Sequence, residues 1–64
     1  MASLAEQIPA WLMFPHRKEA VIEWIGATSL PSRFKRRLLQ DWAAAVGVEL
    51  EGTDYEAVTE KGGQ

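Results

Sequence analysis

The stretch Pro31–Val46, PSRFKRRLLQDWAAAV, decides the fold of this 64-residue chain. It contains strong helix formers with no internal glycine or proline, starts with a proline that suits the first helical position, and stops at Gly47. The three arginines Arg33, Arg36 and Arg37 lie together on one side of a helical wheel. The other side is a broad apolar stripe made of Phe34, Leu38, Leu39, Trp42, Ala45 and Val46. We therefore predict a long amphipathic helix with a cationic outer face.

Lys35 is the exception within this helix, because it falls on the apolar side of the wheel in the first turn. A lysine can lie with its aliphatic stem on a core while the ammonium reaches outward to water. We expect Lys35 to do so.

One helix is predicted before this stretch and another after it. Pro15 presets φ for a helix start, so the amphipathic segment His16–Ala27 is predicted to be helical, with Gly26 near its end. Thr53 and Glu56 have the spacing of a capping box, in which each side chain satisfies a backbone N–H at a helix start. This spacing predicts a short acidic last helix.

The first fifteen residues are predicted to form an aromatic arm with little regular helix. Ser3 and Glu6 fit another capping box, so one short turn is expected over residues 4–8 before Pro9 interrupts it. The apolar run Ala10–Phe14 then forms a second turn or an extended segment. Because tryptophan, methionine and phenylalanine also anchor protein interfaces, this run suits core packing and partner contact about equally.

Together these elements predict an all-α domain, a small bundle of three to four short helices around a Trp-containing core. The domain covers residues 1–60, with the arm at residues 1–15, and the polar, glycine-rich residues 61–64 are expected to be a disordered tail. The expected core comprises Leu4, Ile8, Val21, Trp24, Ile25, Phe34, Leu38, Trp42, Val46, Leu50 and Tyr55.

The composition argues against several classes of protein. Without cysteine the chain has no disulfide framework, no thiolate nucleophile and no sulfur-ligated zinc. Its longest apolar stretch, Ile8–Pro15, is far shorter than the roughly 20 residues that a membrane span needs. We therefore expect a cytoplasmic protein without a membrane partner.

Candidates for catalysis are few. His16 is the sole histidine, and its position beside Pro15 and Arg17 is typical of a solvated residue at a helix start rather than a general base. The serines lie where helix capping explains them, and no nucleotide-binding, hydrolase or EF-hand spacing occurs. We predict no enzymatic activity, no metal site and no cofactor.

Charge is divided unevenly along the chain. The net charge is −2, yet residues 16–37 carry +4 and residues 41–60 carry −6. The cations occupy the first turns of the two central helices, where the positive end of the helix dipole disfavours each by about 0.3–1 kcal/mol at low salt. This local conflict predicts an anionic partner, which is either the acidic half of the chain or an external ligand.

The end of the central helix resembles a helix-turn-helix. Ala43, Gly47 and Val48 match the small, glycine and apolar positions of that motif, and Trp42 and Val46 match its buried positions. The resemblance implies contact with nucleic acid, but residues 49–56, in the place of the recognition helix, carry four acidic side chains that phosphates would repel. A bound nucleic acid should therefore touch the first turn of the central helix and avoid the segment after Gly47.

The leading hypothesis is a small non-enzymatic regulatory module that docks an acidic partner protein. In this hypothesis Arg33, Arg36 and Arg37 contact the acidic surface, and Trp11 and Phe14 are the apolar anchors.

Two alternatives are open. A nucleic-acid-binding protein would use the same arginines together with Arg17 and Lys18. In a structural subunit, the acidic half would neutralise the basic face within one chain or across a homo-oligomer. Both hypotheses with an external ligand require arginines that are exposed and unmatched by the chain's own carboxylates.

Overall fold

The described part of the computed structural model, residues 3–62, consists of short helical elements, with side chains described as far as Glu60. Three 3-10 turns come first, followed by three α-helices, and no strand occurs within these residues. The turns span Leu4–Gln7, Ala10–Leu12 and Pro15–Arg17, and the helices are α1 (Lys18–Gly26), α2 (Ser32–Val46) and α3 (Gly52–Gly62). The prediction of a small all-α bundle is confirmed.

Helix α2 begins and ends close to the predicted residues. Pro31 precedes it in an extended conformation, and Gly47 follows it with φ +81°, in the left-handed region where glycine carries no steric penalty. The carbonyl oxygen of Ala43 accepts hydrogen bonds from the N–H groups of Gly47 (2.8 Å) and Val48 (2.9 Å). These bonds close the helix end and turn the chain towards α3.

Trp42 is the centre of the core. Its side chain has no exposed surface, and its indole N–H donates a 2.7 Å hydrogen bond to the carbonyl oxygen of Leu12. Helix α2 is thereby tied to the second 3-10 turn. The buried core cluster comprises Ile8, Leu12, Val21, Ile22, Ile25, Leu38, Leu39, Trp42, Ala43 and Val58.

Two side chains of α2 differ from the expected core. Phe34 was expected inside but is 44% exposed, whereas Lys35 was expected to reach water but is only 2% exposed. The Lys35 ammonium donates to the carbonyl oxygen of Gly26 at 2.9 Å. This carbonyl lies at the C-terminal end of α1, where the helix dipole favours a cation. The inward face of α2 is therefore centred on Lys35, Leu38, Leu39, Trp42 and Ala43, with Phe34 outside its margin.

Other differences follow from the tertiary packing. The predicted core residues Leu4, Trp24, Val46, Leu50 and Tyr55 are only partly buried against the core. Leu12 and Val58, which were not expected there, have no exposed surface. The run Ala10–Phe14, for which core packing and partner contact were both left open, thus contributes Leu12 to the core and leaves Trp11 and Phe14 exposed.

Ser3 caps the first turn as predicted, but among the described residues Glu6 does not return the second hydrogen bond of the predicted capping box. The cap of the last helix also differs from the prediction. Ser3 Oγ accepts the N–H of Ala5 at 3.1 Å at the start of the first turn. At α3, the carboxylate of Asp54 accepts the N–H of Glu51 at 3.0 Å. The capping role predicted for Thr53 and Glu56 thus belongs to Asp54, because α3 begins at Gly52, two residues before the start that a Thr53 cap would give.

Helix α3 continues through Gly62, whereas the expected tail begins at residue 61. Gly63 and Gln64 lie outside the described residues.

Candidate docking surface

Three arginines on the outer side of α2 form the arginine face: Arg33, Arg36 and Arg37. All three are exposed. No carboxylate among the described side chains lies within ion-pair distance of Arg33 or Arg36. The guanidinium of Arg33 lies 5.6 Å from the ring centroid of Phe34, so it covers an exposed aromatic ring and keeps its N–H donors for other groups.

Arg37 is the member of the arginine face with an internal partner. Its Nε donates to Asp41 Oδ1 at 3.1 Å, one helical turn away, and its side chain is 56% exposed. The other carboxylate oxygen of Asp41 accepts the N–H of Leu4 at 2.9 Å. Asp41 thus links the first 3-10 turn to α2. The guanidinium of Arg37 keeps further N–H donors that this ion pair does not occupy.

An apolar cleft lies between α2 and the first 3-10 turn, beside the arginine face. The Leu30–Phe34 cleft has a volume of about 160 Å³ and is lined by Leu4, Gln7, Leu30, Phe34 and Leu38. Leu30 is 40% exposed and Phe34 is 44% exposed. Sequence reasoning missed this surface because it assigned Phe34 to the core; the available signal was its place at the margin of the apolar stripe, next to Arg33.

Both lysines of the basic segment, Lys18 and Lys35, have partners within the protein. Lys18, predicted to contact a nucleic acid, pairs with Asp54 (Nζ to Oδ2, 3.2 Å) and is 36% exposed, whereas the Asp54 side chain is 12% exposed. Lys35 is buried against α1. Arg17 is exposed at the start of α1, and no described carboxylate pairs with it. The acidic half of the chain, residues 41–60, therefore pairs with Lys18 through Asp54 and with Arg37 through Asp41. Within the arginine face, the expectation of exposed guanidinium groups unmatched by described carboxylates holds for Arg33 and Arg36 and is wrong for Arg37.

The two predicted anchors, Trp11 and Phe14, are exposed by 57% and 48%. Trp11 lines a groove with residues of α1 rather than α2. The ring of Phe14 lies 5.7 Å from the ring of His16. Neither residue lines the Leu30–Phe34 cleft, so the structure brings the three arginines together and does not place these two aromatics among the cleft residues.

No group of three or more His, Asp or Glu side chains that could hold a metal ion occurs among the described residues. No helix among them is long and apolar enough to cross a bilayer.

Comparison of the chain with family models, curated proteins and solved structures finds no match.

Proposed function

We propose that this chain is a small non-enzymatic binding module that docks an acidic segment of a partner protein. The arginine face contacts the acidic residues of that segment, and an apolar side chain of the partner occupies the Leu30–Phe34 cleft. The observation that carries this proposal is the exposed ring of Phe34, which lies beneath Arg33 and opens onto an apolar cleft.

The preference for an anion comes from the start of α2. No side chain caps this helix end, no acidic residue lies in its first turn, and Arg33 stands there instead. Cations at this end are unfavourable by about 0.3–1 kcal/mol each at low salt. A carboxylate supplied from outside would satisfy the helix dipole and the guanidinium groups together.

The preference for a protein over a nucleic-acid backbone comes from the cleft. Exposed Leu30 and Phe34 gain nothing from a phosphate, whereas burial of one leucine-sized side chain is worth about 1.5–3 kcal/mol. An acidic segment with an embedded apolar residue matches both features of this surface.

The helix-turn-helix resemblance gives little support to the nucleic-acid alternative. Its turn is present at Gly47, but the helix that would enter a groove is α3, which exposes Glu56 and Glu60 and follows the exposed Glu51. These carboxylates would face phosphates at close range and repel them.

The test measures binding of a synthetic acidic peptide with one central leucine, by calorimetric titration of the full chain. The double variant Arg33→Glu/Arg36→Glu should abolish binding by charge reversal. Phe34→Ser, and serine in place of the peptide leucine, should each weaken binding about tenfold because the cleft loses its apolar contact. Arg17→Glu is the matched control, since it reverses an exposed arginine away from α2, and should change affinity by less than about twofold.

Random duplex DNA, titrated at two salt concentrations, separates the alternatives. A nucleic-acid protein would bind the duplex with a steep salt dependence, a slope of about −0.9 per neutralised phosphate, and would be insensitive to Phe34→Ser. A structural subunit would sediment as a closed oligomer with the cleft covered. Either outcome would overturn the proposed function.

A further inference from the structure

A separate groove lies between the second 3-10 turn and the outer face of α1. The tryptophan groove has a volume of about 510 Å³ and is lined by Trp11, Glu19, Ala20, Glu23 and Trp24. It shares no lining residue with the Leu30–Phe34 cleft. It therefore has its own chemistry, in which two indole rings stand beside carboxylates.

The turn that carries Trp11 is held in place from the core side. Leu12, the next residue, is fully buried, and its carbonyl oxygen accepts the indole N–H of Trp42 at 2.7 Å. The N–H of Leu12 in turn donates to the carbonyl of Pro9 at 3.0 Å. Because these hydrogen bonds fix the backbone around Trp11, this 57% exposed residue projects its side chain from a fixed position at the groove rather than from a loose arm.

One lining residue of the groove, Glu19, supplies an exposed carboxylate. Glu19 lies on α1, one turn before Glu23 on the same side, and no cationic side chain among those described lies within ion-pair distance of Glu19. The face of an indole ring carries the negative part of the aromatic quadrupole. Both the rings and the carboxylate of Glu19 therefore favour a positive charge in the groove.

We propose that the tryptophan groove binds a cationic side chain, the ammonium of a lysine or the guanidinium of an arginine, presented by a basic segment of another protein. The alkyl stem of such a side chain packs on Trp11 and Trp24, and its charged head lies near Glu19. An acidic ligand would be repelled there, and a purely apolar one would displace water from the carboxylate of Glu19 without replacing its hydrogen bonds.

The experiment uses the full ¹⁵N-labelled chain and follows its three tryptophan indole N–H signals by NMR. The probe is a short peptide of alternating lysine and glycine, and its control is the same peptide with norleucine for lysine. The lysine peptide should shift the Trp11 and Trp24 signals saturably, while Trp42, buried and hydrogen-bonded to Leu12, should not respond.

Variants assign the contact to the groove. Trp11→Ala should weaken binding about fivefold or more, because it removes a cation–π contact together with the packing of the alkyl stem. Glu19→Gln should weaken binding and reduce its salt dependence. Glu49→Gln removes an exposed carboxylate that lines neither this groove nor the cleft, and should leave binding within about twofold. Phe34→Ser should also have no effect, so the outcome does not depend on the proposed acidic partner.

Three results would overturn the proposal. Equal shifts with the norleucine peptide would show an apolar site without charge recognition. No shift at about 10 mM peptide, a range that reaches even millimolar affinity, would show no site for this ligand. Shifts of Trp11 and Trp24 on dilution of the protein alone would show that a second copy of the chain covers the groove instead.

Discussion

The hydrogen bond from Trp42 to Leu12 yields the sharpest prediction about stability. The substitution Trp42→Phe removes the indole N–H and leaves the buried carbonyl of Leu12 without its 2.7 Å donor. An unsatisfied buried acceptor costs about 1–3 kcal/mol, and the smaller ring leaves a void worth about 1 kcal/mol more. The expected loss in the free energy of unfolding is therefore about 2–4 kcal/mol. For a chain of this length, whose total stability is expected to be only about 3–10 kcal/mol, this is a large fraction.

The assay is urea unfolding followed by far-UV circular dichroism, because tryptophan fluorescence itself changes in the variant. Trp24→Phe is the matched control, because it makes the same chemical change at a half-buried residue. The indole N–H of Trp24 has no hydrogen-bond partner among the described residues, so this variant should lose less than about 1 kcal/mol of stability. The denaturant slope should be unchanged in both variants. Equal losses for the two variants would refute the assignment of Trp42 as the link between α2 and the second 3-10 turn.

Three further predictions use the same unfolding measurement. Gly47→Ala should cost about 1–2 kcal/mol through the positive φ alone, since the added Cβ meets no atom within 4 Å; Gly47→Asn should cost less, and equal costs would contradict this reason. Asp54→Ala should cost about 1–2 kcal/mol, mainly from the lost cap, whereas Asp54→Asn, which keeps an acceptor and loses only the partly buried ion pair with Lys18, should cost less. Lys35→Met should change the free energy of unfolding by less than about 1 kcal/mol, because an ammonium no longer has to be buried and this gain offsets the lost hydrogen bond to Gly26. Lys35→Ala should cost about 2 kcal/mol more than Lys35→Met, because it also removes the aliphatic stem from the core. A Met variant as unstable as the Ala variant would show that the ammonium itself holds the two helices together.

The elements of the fold were predictable because their signals are local. The prolines at positions 15 and 31 and the glycine at position 47 bracket two amphipathic segments, and each acts through its own backbone geometry. The capping residue of α3 was not predictable to the same degree. Thr53 and Asp54 both have short polar side chains near the helix start, and packing against Lys18 distinguishes between them.

The candidate site was only partly predictable. The helical period places Arg33, Arg36 and Arg37 on one face, and the structure has them there. Trp11 and Phe14 were predicted to be the apolar anchors that act with these arginines. The apolar cleft beside the arginine face is instead lined by Phe34 and Leu30. Phe34 adjoins Arg33 in the chain, but the sequence does not show that Leu4 and Leu30 complete a cleft beside it, because that depends on how the first 3-10 turn packs on α2.

The sequence by itself determined that this chain is helical, where its long helix begins and ends, and that its arginines share one side. Periodicity and turn chemistry act within a few residues of each position, so no tertiary information was needed. Only the tertiary structure decided that Lys35 lies inside against α1, that Phe34 lies outside, and that Leu12 enters the core while its neighbour Trp11 faces α1 across an open groove. These outcomes depend on which helix end and which carbonyl group lie opposite each side chain, and that is set by the packing of segments distant in the chain.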